Sequence, residues 1–475
     1  MHISPTLLSR EIYYSHYKYF KSKIFFSFFF GFEKKCFFRR KNNNFASQKT
    51  NIMSFKKILL WSLLSTLTLR LSGQEQSYAK EIINHLCSKE LQGRGYAFGA
   101  DRKAAAYIAG ELKKFGIHPL KKGYCQEFSI PVNTLPKARA VQIDNRKLQA
   151  GEDYLIAANS CSVKGKFPIV ILDAKIINDR NRLSQFVKQD FSKKALWVDT
   201  SGVLIENFER MYQLWVNQNI LQAELLLIPV STPLMYVPSQ NQVPFCTLYL
   251  KRGMLQPERD RNITVNIEAH FQNNYRTNNV FGILPGKSDS CIFLCAHYDH
   301  IGLMGEHTYF PGANDNASGV AMVLDLARRY ARQTKPKYTM VFAFFSGEEL
   351  GLLGSRYYTE HPILPLSQIK FLINLDMVGS GKKGITVVNG TVFKREFNLL
   401  RNINEEKQYL PEVKERGAAA NSDHYFFYEK GVKSFFFYTR GDYKEYHNIF
   451  DSSANLPLAE FADLEKLIKE WIEKI

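Results

Sequence analysis

From residue 278 onward the chain alternates two hydrophobic patterns. Runs dense in β-branched and aromatic residues, "NNVFGILPG", "SCIFLCAHYDH", "YTMVFAFFSG" and "IKFLINLDMVGSG", stop at glycine or polar residues and read as strands. Between them lie "NASGVAMVLDLARRYAR", an apolar helix expected to be buried on most sides, and "LGLLGSRYYTEH", a shorter helix. After Pro457, Leu458, Phe461, Leu464, Ile468 and Trp471 recur at helical spacing and predict a last helix with one buried face. Strands alternating with helices predict an α/β fold, with a mostly parallel or mixed central sheet covered by helices on both faces. In such folds the site lies beyond the carboxyl ends of the strands.

Upstream, "SYAKEIINHLCSKELQGRG" reads as a helix ended by its glycines. "ADRKAAAYIAGELKKFGI" reads as another, with Ile108, Leu112 and Phe115 on one face and Gly116 as a stop. "YCQEFSIPV" is expected to be a strand. Residues 134–274 change character. Short apolar runs ("FPIVILDA", "KALWVDT", "AELLLIPV", "PFCTLYL") alternate there with Pro, Asn and Ser, and predict a small β-rich inserted module without catalytic motifs. The α/β domain is then expected to comprise residues 77–133 and 275–475.

The formal charge of +18 changes this picture little, because it is unevenly placed. Residues 1–73 hold 13 Lys and Arg against 2 acidic residues, which leaves +7 for the rest. No basic stripe or recognition motif accompanies that excess, so no nucleic-acid partner is expected. Residues 53–73, "MSFKKILLWSLLSTLTLRLSG", have the basic start, the apolar core (Ile58 to Leu69) and the small-residue end of a secretory signal peptide. The core is too short for a comfortable membrane span. Export to the periplasm or the medium is therefore expected, without stable membrane insertion and with a mature start near Gln74. Residues 1–52, rich in Phe, Lys and Asn, show no helical or strand period; they are expected to be an overlong start or a leader absent from the mature protein. Cys87, Cys125, Cys161, Cys246, Cys291 and Cys295 have no metal or redox spacing, and leave open disulfides of unreadable connectivity or buried thiols.

Polar residues gather at the predicted strand ends. His297 and Asp299 close one strand, Glu348 and Glu349 follow another, and Asp376 follows a third. "PGANDNASG" sets Asp315 at the mouth of a buried helix, and "EYHNIFD" places His447 in a late loop. Asp315 alone would read as a helix cap and His447 alone as a surface histidine. Together, two histidines and four or five carboxylates without cysteine describe a site for a hard-to-borderline cation, which Zn²⁺ fits best. If two ions lie about 3.5–4 Å apart, one carboxylate must bridge them.

Residues 91–475 resemble the co-catalytic zinc aminopeptidases, the group of aminopeptidase Y and the secreted bacterial leucyl aminopeptidases. The resemblance rests on "LQGRGYAFGADRKAAAYIAGELKKFGI", "TNNVFGILPG", "AHYDHIG", "GANDNASGVA", "FFSGEELGLLGS", "NLDMVG", "NSDHYFF" and "YHNIFD", in that order. It implies two zinc ions per chain and peptide substrates. His297 and Asp376 would hold one ion, Glu349 and His447 the other, and Asp315 would bridge. Asp299 would orient His297, and Glu348 would be the general base. It also implies a cis peptide between Asp315 and Asn316, and a protease-associated type of module for the insertion. The oligomeric state is not readable.

Three alternatives share the implied fold. A glutaminyl cyclase-type acyltransferase keeps a single zinc, whereas "GANDNASG" has the two-metal pattern. A carboxypeptidase needs an arginine cluster, which Arg356 and Arg440 do not make. A receptor-like relative without activity would have lost ligands, and all five are present.

Overall fold

In the strand Ser288–His297, Ile292, Leu294 and Ala296 join one hydrophobic cluster while Cys291, Phe293 and Cys295 join another. In Tyr338–Phe345 the division is the same: Met340, Phe342 and Phe344 on one side, Val341, Ala343 and Phe345 on the other. A period of two with apolar residues on both sides requires a sheet covered on both faces. The computed structural model builds that sheet; it describes residues 78–475 apart from 205–207 and 232. The expectations for residues 1–52 and for the signal peptide 53–73 lie outside the described residues.

Ser288–His297 pairs in parallel with Tyr338–Phe345 on one side and Ile369–Leu375 on the other. His297 stands opposite Phe345, and Cys295 opposite Asn374. Ile369–Leu375 pairs in parallel with Ser434–Thr439, to which Ile385–Val388 adds antiparallel. On the far side, the end of Asn262–Leu284 runs antiparallel to Tyr338–Phe345. The central sheet is thus mixed around a parallel centre.

Helices Ala100–Lys114, Ser318–Ala331, Lys394–Lys407 and Phe461–Lys474 cover one face with Ile108, Val320, Leu400 and Leu464 among their buried residues. Leu353–Glu360 and His424–Glu429 cover the other with Tyr358 and Phe427. Two expected boundaries shift. The helix after the two glutamates starts at Leu353, because Leu352 has a φ of 63° and the Leu353 amide bonds back to the Gly347 carbonyl. The last helix starts at Phe461, although Leu458 remains buried below it.

Cys125–Ile143 and Asn262–Leu284 form one long antiparallel ladder, from Cys125 opposite Val280 to Ile143 opposite Ile263. The pairing continues past residues 134 and 274, with register shifts between Ile130 and Val132 and between Thr134 and Lys137. The four apolar runs of the middle segment become Val163–Leu172, Ala195–Val198, Leu225–Val230 and Cys246–Lys251, paired in parallel in that order. Short helices such as Arg180–Phe186 lie between them. Leu225 and Leu227 face one cluster, Leu226 and Ile228 another, so this smaller sheet has two covered faces of its own. The described residues pack as one compact unit. Among the described residues no helix is long and apolar enough to cross a membrane, and the six described cysteines are free thiols.

Candidate metal centre

Three neighbouring parallel strands end at the same edge, and each delivers polar side chains there. His297 is the last residue of its strand, Asp376 directly follows Leu375, and the turn Ser346–Gly347 carries Glu348 and Glu349 past Phe345. Gly347 turns with a φ of 76°. The loop before helix Ser318–Ala331 brings Asp315, joined to Asn316 by a cis peptide bond. His447 arrives on the loop after Ser434–Thr439. All seven residues singled out in the sequence, Asp299 included, are buried, none more than 5% exposed.

Asp315 stands between the two imidazoles. Its Oδ1 is 3.3 Å from His297 Nε2, and its Oδ2 is 3.0 Å from His447 Nε2. His297 Nε2 also lies 3.4 Å from Asp376 Oδ1, and His447 Nε2 3.1 Å from Glu349 Oε2. His297 Nε2, Asp376 Oδ1 and His447 Nε2 are nevertheless buried without a hydrogen-bond partner. Close lone pairs in a dry site repel unless a cation lies among them. Zinc–nitrogen and zinc–oxygen bonds of about 2.0–2.1 Å put tetrahedral ligand atoms about 3.3–3.4 Å apart, close to these separations. The donor set, imidazole and carboxylate without thiolate, suits the same ion.

Electrostatics agree with a site short of positive charge. Burial disfavours a charged His297, yet Glu348 and Asp376 hold its pKa well above the usual value. Burial acts likewise on His447, but Glu349 and Asp315 raise it to about 9.

The surrounding contacts fix each side chain. The Asp299 carbonyl oxygen, not its carboxylate, is within hydrogen-bond distance of His297 Nδ1, at 3.1 Å. The Asp299 carboxylate instead accepts the amides of Glu348 and Glu349, each at 3.3 Å, and the Tyr96 hydroxyl at 2.6 Å. Ser422 donates to Asp376 Oδ2 at 2.8 Å and accepts from Asn374 Nδ2 at 2.7 Å. Asp451 accepts the amides of Asn314 and Asp315 at 2.9 and 3.1 Å.

Four contributors were not read from the sequence. His300 Nδ1 lies 2.9 Å from Glu349 Oε1. The fully buried Arg94 donates to the carbonyls of Leu86, Tyr298, Pro311, Gly312 and Asp315 at 2.7–3.4 Å, tying the strand end at His297 to the loop of Asp315. Asp451 lay in a quoted block without a role. Tyr446 stacks on the His447 ring, with centroids 3.9 Å apart. Burial and the charges of Asp315, Glu349, Glu348 and Asp376 keep its phenol protonated. The middle segment also reaches this edge, where the Tyr236 amide donates to the His447 carbonyl at 2.9 Å and Gln240 to that of Leu350.

Residues 279–472 match the family description of peptidase family M28. Leucine aminopeptidase 1 of Trichophyton rubrum is 31% identical over 170 residues, which are 33% of this chain and 46% of that one. Aminopeptidase YwaD of Bacillus subtilis is 37% identical over 113 residues, 22% of this chain and 23% of that one. The chain therefore spans less than half the length of these curated relatives. Two solved structures share the fold: a zinc aminopeptidase from Bacillus subtilis (TM-score 0.61, 20% identity, 84% of this chain and 94% of that one) and a peptidase M28 precursor from Shewanella amazonensis (TM-score 0.59, 16% identity, 86% and 96%). His297, Asp315, Glu348, Glu349, Asp376 and His447 all lie within the segment that matches peptidase family M28.

Proposed function

We propose that the protein is an exported zinc aminopeptidase that releases N-terminal residues from peptides. The observation that carries this reading is the position of Asp315, with one oxygen facing each of two buried imidazoles. In this reading His297 and Asp376 would hold one zinc ion, His447 and Glu349 would hold a second, and Asp315 would be shared between them. Four buried carboxylates (Asp315, Glu348, Glu349 and Asp376) against two imidazoles leave room for the charge of two divalent ions. When bound, zinc lowers the pKa of a coordinated water and polarises the carbonyl oxygen it touches.

The chain's own residues do the rest. Glu348, whose Oε2 is 3.9 Å from His297 Nε2, takes the proton of the attacking water and passes it to the leaving amine. Asp299 holds the backbone amides of this base and of the ligand Glu349. Tyr446, kept protonated, offers a donor to the carbonyl oxygen as charge develops on it. A site rich in carboxylates suits a substrate's free ammonium end. A substrate carboxylate finds less to bind, because Arg356 is paired with Glu360 and Arg440 with Glu412. We further place the peptidase domain at residues 77–133 and 275–475 with the middle segment inserted, and the signal peptide at 53–73.

The resemblance of residues 279–472 to family M28 and the names of the relatives support this reading over the glutaminyl cyclase alternative. The test is release of the first residue from peptides with free or acetylated N-termini, with and without a chelator. Activity on the free peptide, lost with chelator and restored by zinc, is expected. Equal cleavage of the blocked peptide, or release from the carboxyl end, would overturn it.

A further inference from the structure

Glu349 has two oxygens, and the structure gives them different partners. Oε2 lies 3.1 Å from His447 Nε2, and Oε1 lies 2.9 Å from His300 Nδ1. His300 sits three residues past the end of its strand and is fully buried. Its ring has little freedom: its backbone amide donates to the Arg94 carbonyl at 3.3 Å, and the ring lies so close to Gly312 that a Cβ there would overlap it. The rings of His300 and His447 are set edge to face at 75°, with centroids 5.7 Å apart, on the two sides of Glu349.

We infer that His300 is a positioning residue that occupies one oxygen of Glu349 and so fixes which oxygen remains for the second metal ion. The inference rests on the two-metal reading above. An ionised carboxylate only accepts hydrogen bonds, so Nδ1 carries the hydrogen and donates it. With Oε1 engaged, the oxygen of Glu349 left for an ion would be Oε2, the one that faces His447. The carboxylate is also held in one rotation before the ion arrives, and that preorganisation raises affinity.

A side chain that merely filled space would serve with any group of similar bulk, whereas positioning requires a donor where Nδ1 stands. His300→Asn places an amide nitrogen there; His300→Gln places one nearer Nε2. Metal-stripped wild-type, His300→Asn and His300→Gln proteins are titrated with zinc against a chromophoric chelator. The equivalent on the His297 side is not expected to depend on His300 and serves as an internal control for folding; the other is counted as the second. Wild type is expected to take up two equivalents, with His300→Asn within about threefold of it at the second. His300→Gln should lose about 10–100-fold at the second equivalent alone, the usual effect of removing an outer partner of a ligand. A second equivalent of wild-type affinity in His300→Gln, or equal losses in both variants, would overturn the role of His300. A wild-type protein that takes up only one equivalent would overturn the two-metal reading itself.

Discussion

The Asp299 carboxylate accepts the amide hydrogen of Glu349 at 3.3 Å, and its other oxygen accepts that of Glu348 at the same distance. One buried side chain therefore sets the backbone of two adjacent glutamates that face different ways. Asp299→Asn retains a single acceptor oxygen and turns an NH₂ group toward the other amide. The variant is expected to fold and to bind zinc about 10–100-fold more weakly, with a parallel loss of turnover. A competition titration with a zinc chelator checks this.

Arg94 fills its donor capacity with five backbone carbonyls and meets no carboxylate among them. Lysine brings three donors on a flexible stem, so Arg94→Lys leaves at least two buried carbonyls short of a partner. A stability loss of about 2–5 kcal/mol is expected. Urea denaturation of the two proteins, both stripped of metal, measures it.

Arg94 itself, and the hold of the Asp299 carboxylate on the Glu348 and Glu349 amides, mark what the sequence hid. The strands around His297, Glu348 and Asp376 were legible because a sheet covered on both faces demands unbroken apolar runs, and the polar residues that end those runs stand out. His447 and Asp315 were legible only through the quoted blocks. Arg94, His300 and Asp451 act through contacts with backbone or carboxylate that have no period to detect; Arg94 reaches carbonyls more than 200 positions away. The aromatic run "SFFFY" could be read as pocket lining or as a core strand. It is the strand Ser434–Thr439, whose Phe435, Phe436 and Phe437 are buried. The helix Lys394–Lys407 did carry a signal, Phe397, Leu400 and Ile403 on one face, in a stretch where no element was expected.

Burial pushes the Asp101 carboxyl up to about 6, against hydrogen bonds from Tyr275 and Thr277. Between about pH 4 and pH 6 the folded protein then keeps a proton that the unfolded chain has lost, so stability falls as pH rises through this window and levels off above it. Asp101→Asn removes this contribution. Measured as the difference between wild type and variant in urea denaturation, wild type should lose about 2 kcal/mol from pH 4 to pH 7.

The central claim is a division of labour in "GEELG", where Glu349 holds metal and Glu348 moves the proton. Glu349→Ala should lose one tight zinc and keep the fold. Glu348→Gln keeps the size of the side chain but cannot take a proton, and should lose about 10²–10⁴-fold in turnover. The most direct measurement is the number of zinc equivalents taken up by metal-stripped Glu348→Gln protein, read beside its turnover. The account predicts two tight equivalents in a nearly inactive protein. One equivalent, or turnover close to wild type, would contradict it.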